Sequence, residues 1–118
     1  MKILFHFLVL AVAIGLSGCG ADCGNETAAS IASPSGSTKA VVFNRNCGAT
    51  TGFNTQLSII DSSEALPNRG GNALIIDGNV PLDIRWLSES ELSVVGLAAT
   101  QVFKKKQSVA GITISYGK

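Results

Sequence analysis

Few residues in this chain of 118 can do chemistry: three cysteines, one histidine, and eight carboxylates set against nine basic side chains. A thiol can attack as thiolate, ligate a metal, pair with a second sulfur or carry an acyl group, so Cys19, Cys23 and Cys47 come first. The histidine, His6, lies inside an apolar run from Ile3 to Gly15 that follows the basic residue Lys2. That run has the length of a secretory leader and is too short to span a bilayer, which takes about 20 apolar residues. A cleaved leader takes His6 with it. The remaining chain then has no imidazole for a Ser-His or Cys-His arrangement.

Leu16-Ser17-Gly18-Cys19 closes the apolar run. An aliphatic residue, two small ones and a cysteine in that place resemble the lipobox of bacterial lipoprotein precursors, with residues 1–18 as the signal peptide. The resemblance implies that the Cys19 thiol receives a diacylglyceryl group, that a peptidase cuts between Gly18 and Cys19, and that the new amine is open to acylation. Slim side chains suit an extended segment entering a narrow active site at a membrane surface. Two or three acyl chains hold firmly, because each buried methylene contributes about 0.8 kcal/mol and one chain alone is marginal. In such precursors an aspartate directly after the lipidated cysteine marks inner-membrane retention. Here Gly20 holds that place and Asp22 comes later. The expected location is therefore the cell envelope, on the outer membrane facing the periplasm where the host has two membranes. The competing reading is an ordinary secretory signal or short buried anchor, with Cys19 a small apolar residue.

With Cys19 taken by lipid, Cys23 and Cys47 remain as an even pair in an oxidising compartment, where a disulfide persists. It would close a loop of about 25 residues and stabilise the fold by roughly 3 kcal/mol on the chain-entropy estimate. A zinc site is the weaker alternative, since two sulfurs without histidine cannot close one. A redox pair is weaker too, because the spacing is not Cys-x-x-Cys. No metal and no cofactor are expected.

Removing residues 1–18 from the 118 leaves 100, and losing Lys2 balances eight basic residues against eight acidic ones. Zero net charge argues against a nucleic-acid partner, which needs a basic face. Residues 19–32 read as the lipidated cysteine and a small, polar tether that pairs at most as an edge strand near Ile31. Within it Asn25-Glu26-Thr27 fits a glycosylation sequon, relevant only in a eukaryotic secretory path.

Residues 33–118 read as one β domain. Ser33-Pro34-Ser35-Gly36 is a tight turn. Strands follow at Lys39–Arg45, at Thr55–Asp61 with Leu57 and Ile59 on one face, and at Ala73–Asp77, which ends in an Asp77-Gly78-Asn79 turn. Alternation then places Leu82, Ile84 and Trp86 inward, repeats at Leu92 and Val94, opens again at Val102-Phe103, and ends with Ile112, Ile114 and Tyr116. No window carries a 3.6-residue period. The expected class is all-β: six or seven short antiparallel strands as a meander, small sandwich or open barrel. The chain has material for little more than one propeller blade, which excludes a full propeller despite blade-like stretches at Ser33–Gly36 and Trp86–Leu92.

The stretch "SPSGSTKAVVFNRNCGATTGF" (33–53) resembles the signature of a family of small uncharacterised bacterial proteins, many with lipoprotein signals. The likeness continues through "GNALIIDGN", "IRWLSESELSV" and "VFKKKQSVAGITISY", covering most of Ile31 to Tyr116. Ser35 and Thr38 stand where members commonly show an aspartate and an aromatic. The resemblance implies a shared fold and an envelope setting, and no activity.

Three segments are candidate sites. Asn46 to Gly52 offers two glycines, Gly48 and Gly52, and two hydroxyls, Thr50 and Thr51, between strands. Its backbone N–H groups could meet an anion or a glycan hydroxyl, although a disulfide-pinned connection accounts for the same residues. Ser62 to Gly71 is the longest irregular stretch, and its Arg69 could pair with a carboxylate or phosphate or stand as a solvated tip. Lys104, Lys105 and Lys106 could touch anionic headgroups, but they also suit the guarding of an exposed edge strand. Asp61, Glu64, Asp77 and Asp83 carry no spacing pattern for paired-carboxylate catalysis.

The expected function is a lipid-anchored envelope protein acting as a binding or interaction module, with the membrane as partner through Cys19 and an envelope protein or glycan as ligand; it is not expected to be an enzyme. The alternatives are a small hydrolase using carboxylates or a Ser-Lys pair, and a passive structural lipoprotein.

Overall fold

The computed structural model of the chain describes residues 22–98 and 100–118; the leader 1–18, with His6, and Cys19 lie outside them. The described chain is all-β and forms two sheets. Alternating and β-branched stretches become β1 (Gly24–Ala32), β2 (Thr38–Asn46), β3 (Asn54–Asp61), β4 (Leu74–Asp77), β5 (Asp83–Ser88), β6 (Glu91–Val95), β7 (Val102–Lys105), β8 (Ser108–Val109) and β9 (Ile112–Gly117). One sheet has the order β1-β2-β3-β4-β7 and the other β5-β6-β9-β8. They face each other as a small sandwich, not closed into a barrel.

The seven expected strands are present, and two more join them. β1 occupies most of the stretch expected as a tether. Its composition is polar and small, so its extended form comes from pairing with β2 along its length, from Gly24↔Asn46 to Ala32↔Lys39, with one irregularity between Thr27 and Ala29. β8 is two residues long and pairs with β9 across a two-residue turn. In that turn Ala110 and Gly111 both take positive φ, 51° and 79°, the backbone that matches the twist of a hairpin.

The expected all-antiparallel arrangement also needs correction. β1 to β4 form a meander, but after β6 the chain crosses to the first sheet as β7 and returns, which lays β9 parallel to β6, Leu92 opposite Ile114. Crossing between sheets and back removes the reversal that a direct hairpin would impose. Asp77-Gly78-Asn79, expected as a turn, begins the crossing from β4 to β5. There Gly78 N–H donates to the Phe53 carbonyl (2.9 Å).

Between the sheets lie Ala40, Val42, Leu57, Ile59, Leu74 and Ile76 from the first and Leu92, Val94, Ile112 and Ile114 from the second, with Trp86 and Tyr116 half-buried at the flanks. Both flanking rings also bond across. Trp86 Nε1 donates to the Ile31 carbonyl (3.0 Å), and Tyr116 Oη donates to the Lys106 carbonyl (2.6 Å). Burial pushes the Tyr116 phenol up to about 12.

β2 is buried on both faces. Val41 and Phe43, which alternate with the core residues, are only 3% and 1% exposed. The cover on their side is the irregular segment 62–73, held flat by side chains of the sheet. Asn25 Nδ2 donates to the carbonyls of Pro67 and Arg69 (both 3.0 Å). Arg45 Nη1 donates to Asn25 Oδ1 (2.8 Å) and Asn68 Oδ1 (2.9 Å). Gln56 Oε1 accepts from Gly71 N–H (2.8 Å), and Lys104 Nζ donates to the Gly71 carbonyl (2.9 Å).

The segment approaches so closely that a Cβ on Gly71 would meet the carbonyl oxygens of Leu57 at 2.7 Å and Leu74 at 2.8 Å. Backbone atoms of paired strands cannot yield to it. Gly71→Ala should therefore lower the unfolding free energy by about 2 kcal/mol, within the usual range for overpacking a tight site. Urea denaturation of the variant beside the unchanged chain measures it, and equal midpoints would contradict the close approach.

Candidate functional site

Strand polarity gathers one group of loops at one end of the sandwich. β1 starts there, β2 ends, β3 starts, β4 ends and β7 starts, so Cys23, the 46–53 loop, Asp77-Gly78 and Val102 share that edge of the first sheet. Cys23 and Cys47 form a disulfide across β1 and β2, with Cα atoms 3.9 Å apart. They flank the pair Gly24↔Asn46 that begins the ladder.

The loop spends much of its polarity on itself. Thr51 N–H donates to the Gly48 carbonyl (3.0 Å), Cys47 N–H to Thr51 Oγ1 (3.1 Å), and Gly48 N–H to Asn46 Oδ1 (3.0 Å). The amides of Cys47, Gly48 and Thr51 thus already have acceptors within the loop. Asn54 ties the loop to the strands: its Nδ2 donates to the Arg45 carbonyl (2.7 Å) and its Oδ1 accepts from Arg45 N–H (2.9 Å).

What the loop offers outward is a shallow depression of about 280 Å³ lined by Asn44, Asn46, Gly48, Ala49, Thr51, Gly52 and Phe53. An adjoining hollow of about 400 Å³ shares Asn46 and Gly48 and reaches Asp22, Gly24, Asn25 and Glu26. Phe53 is 71% exposed, and Thr50 in the same loop is exposed. The alternation of apolar residues gave no sign of Phe53, which lies outside any strand.

Of the other candidates, Arg69 lies near this end and two of the three lysines are structurally engaged. Arg69 projects into solvent from the covering segment while its backbone carbonyl accepts from Asn25. β7 is an edge strand of the first sheet. Lys104 caps the Gly71 carbonyl, and Lys105 stands over the Tyr116 ring, 5.2 Å from its centroid.

Asp61 ends β3 opposite Thr38 on β2, and Asp77 ends β4 opposite Asn54 at the start of β3, so the two lie at opposite ends of the first sheet. Asp83 pairs with Arg85 on the outer face of β5 (3.3 Å). The Ser63 backbone N–H and then its hydroxyl hold the Asp61 carboxyl below the usual range. Among the described residues no three His, Cys, Asp or Glu side chains gather as metal ligands.

One carboxylate that spacing did not single out is the most heavily bonded. Glu89, in the β5–β6 turn, accepts from Ser35 N–H at 2.7 Å through Oε1, and through Oε2 from Ser33 Oγ (2.8 Å), Ser35 Oγ (2.9 Å) and Ser37 Oγ (3.3 Å). The expected tight turn is present, closed by Gly36 N–H to the Ser33 carbonyl (2.8 Å), and its serines converge on the acid from the opposite sheet. Three hydroxyls donating to one carboxylate form a clasp between the sheets. The Ser35 amide, and then the Ser33 hydroxyl, hold the Glu89 carboxyl below its ordinary value.

Compared with known proteins, the chain matches no family model, no curated protein and no solved structure.

Two predictions follow from these contacts. The Glu89 carboxyl is lowered on folding from an ordinary value of 4.5, so its contribution is complete above that pH and fades as pH falls through the folded value. Glu89→Gln should be less stable than the unchanged chain at neutral pH, and the difference should shrink in acid; thermal melts across that range give the answer, and a constant gap would remove the clasp. Replacing Cys23 and Cys47 by serine should lower the unfolding free energy by about 3 kcal/mol, and amide exchange should show β1 losing protection first.

Proposed function

We propose that the chain is a lipoprotein of a bacterial envelope, anchored through acyl chains on Cys19, whose β domain is a binding module with its contact surface at the disulfide end. One observation carries this reading: the disulfide joins Cys23, four residues after the lipobox cysteine, to the loop that holds the depression and the exposed Phe53. A tether of that length keeps the loop beside the anchor, so the most exposed large apolar side chain among the described residues stands at the membrane-proximal end. The domain is small, and a ligand there is an envelope component held at high local concentration by the shared surface. The separation of Asp61 from Asp77 and the engagement of Glu89 by serines give the hydrolase alternative no converging acids to work with.

Fatty-acid labelling and intact-mass analysis of the chain isolated from bacterial membranes test the anchor. Acylation at Cys19 with loss of residues 1–18 is expected, and Cys19→Ser should accumulate as an unlabelled, uncleaved chain near 12.1 kDa. An unmodified thiol at position 19 in membrane-extracted material overturns the proposal.

A further inference from the structure

We infer that the disulfide end of the sandwich docks on the headgroup region of the bilayer that holds its own lipid anchor, with Phe53, Val102 and Phe103 as the contacts. This rests on the anchoring reading and names the envelope component that the contact surface meets. Cys23 is four residues after Cys19, and an extended chain covers at most about 14 Å in that length. The disulfide then fixes Cys23 to Cys47, so the domain cannot turn the 46–53 loop far from the membrane.

The strand order sets what else comes with it. Along the same edge, the Phe53 carbonyl bonds Gly78 N–H, and Asp77 N–H bonds the Gln101 carbonyl, each at 2.9 Å. Phe53 and the start of β7 therefore flank the end of β4, and the five strand ends from β1 to β7 span about 19 Å at ordinary strand spacing. Phe53, Val102 and Phe103 are 71%, 43% and 58% exposed. Three of the five large apolar side chains left exposed on the domain thus lie along the edge from which the tether leaves. Phe103 is displaced from regular pairing, since Ile75 pairs with Lys104 and Ile76 with Val102.

Charge argues against attraction by anionic lipid, because exposed Asp22, Glu26 and Asp77 outnumber the exposed Arg69 near the same end. Aromatic and aliphatic contact at the interface is what remains, as for the apolar face of an interfacial segment that buries at the headgroup–acyl boundary. The 46–53 depression is shallow, and a flat bilayer surface asks for no deeper one.

The test uses the lipidated full chain in zwitterionic phosphatidylcholine vesicles whose acyl chains are brominated near the glycerol. Trp86, the only native tryptophan, bonds Ile31 toward the other end of β1, about 20 Å from Gly24 at strand rise, and serves as the unquenched background. The tryptophan introduced by Phe53→Trp should show loss of emission and a blue shift in brominated vesicles, and Phe103→Trp should repeat the result should the first variant misfold. Leu87→Trp, at a site 62% exposed near the Glu89 end, should show neither.

Co-sedimentation with the vesicles and an acylated mass establish the anchor separately. An anchored chain with Phe53→Trp and Phe103→Trp unquenched overturns the docking and leaves the anchoring reading intact. Quenching that appears equally at Leu87→Trp overturns it as well. Emission at Phe53→Trp that shifts only when peptidoglycan fragments are added overturns it in favour of a glycan ligand. A chain without acyl groups overturns both readings.

Discussion

The two-sided burial of β2 is the constraint from which most of this architecture follows. A sheet with one wet face needs a single partner layer, whereas Val41 and Phe43 demand cover on the face opposite Ala40 and Val42. The second sheet satisfies one side. On the other, the chain lays down the irregular segment 62–73, and because irregular backbone cannot satisfy its own polar groups there, the sheet supplies Asn25, Arg45, Gln56 and Lys104 as partners. This is how a polar edge strand and a long connection become part of the fold. No buried side-chain nitrogen or oxygen among the described residues is left without a partner.

The two sheets are joined by more than apolar contact. Each flank of the sandwich carries a directional bond between layers: the Trp86 indole and the Glu89 carboxylate along the β1 side, and the Tyr116 phenol along the β7 side. Apolar packing resists separation but permits sliding, and the directional bonds fix the relative position of the layers. A domain of this size gains little surplus from its core, so such fasteners weigh heavily in its stability.

Much of this was legible because alternation is a local property. Leu57 with Ile59, and Ile84 with Trp86, announce one inward face each, and proline with glycine announces the turn at Ser33–Gly36. The run Ala40-Val41-Val42-Phe43 announced a strand, although nothing local said that both of its faces would be covered or by what. β1 was largely hidden because Asn25 to Ser30 have no apolar pattern and take their conformation from β2. The parallel pairing of β6 with β9 is a matter of chain routing, which composition does not record. Of the candidate site, the glycines and threonines of the 46–52 loop stood out by type, while the outward Phe53 and the serine-held Glu89 depend on contacts between residues 52 to 56 positions apart or on position outside a strand.

The place of the disulfide has a mechanical side. Tension applied to the chain before Cys23 would, without the bond, peel β1 from the sheet by opening ladder bonds one after another. The sulfur bridge at the head of the ladder diverts that load into the end of β2, which β1 and β3 grip on both sides. Pulled along its axis, β2 meets many hydrogen bonds in shear at once, so the domain would resist a pull on the residues before Cys23 where a free edge strand would unzip.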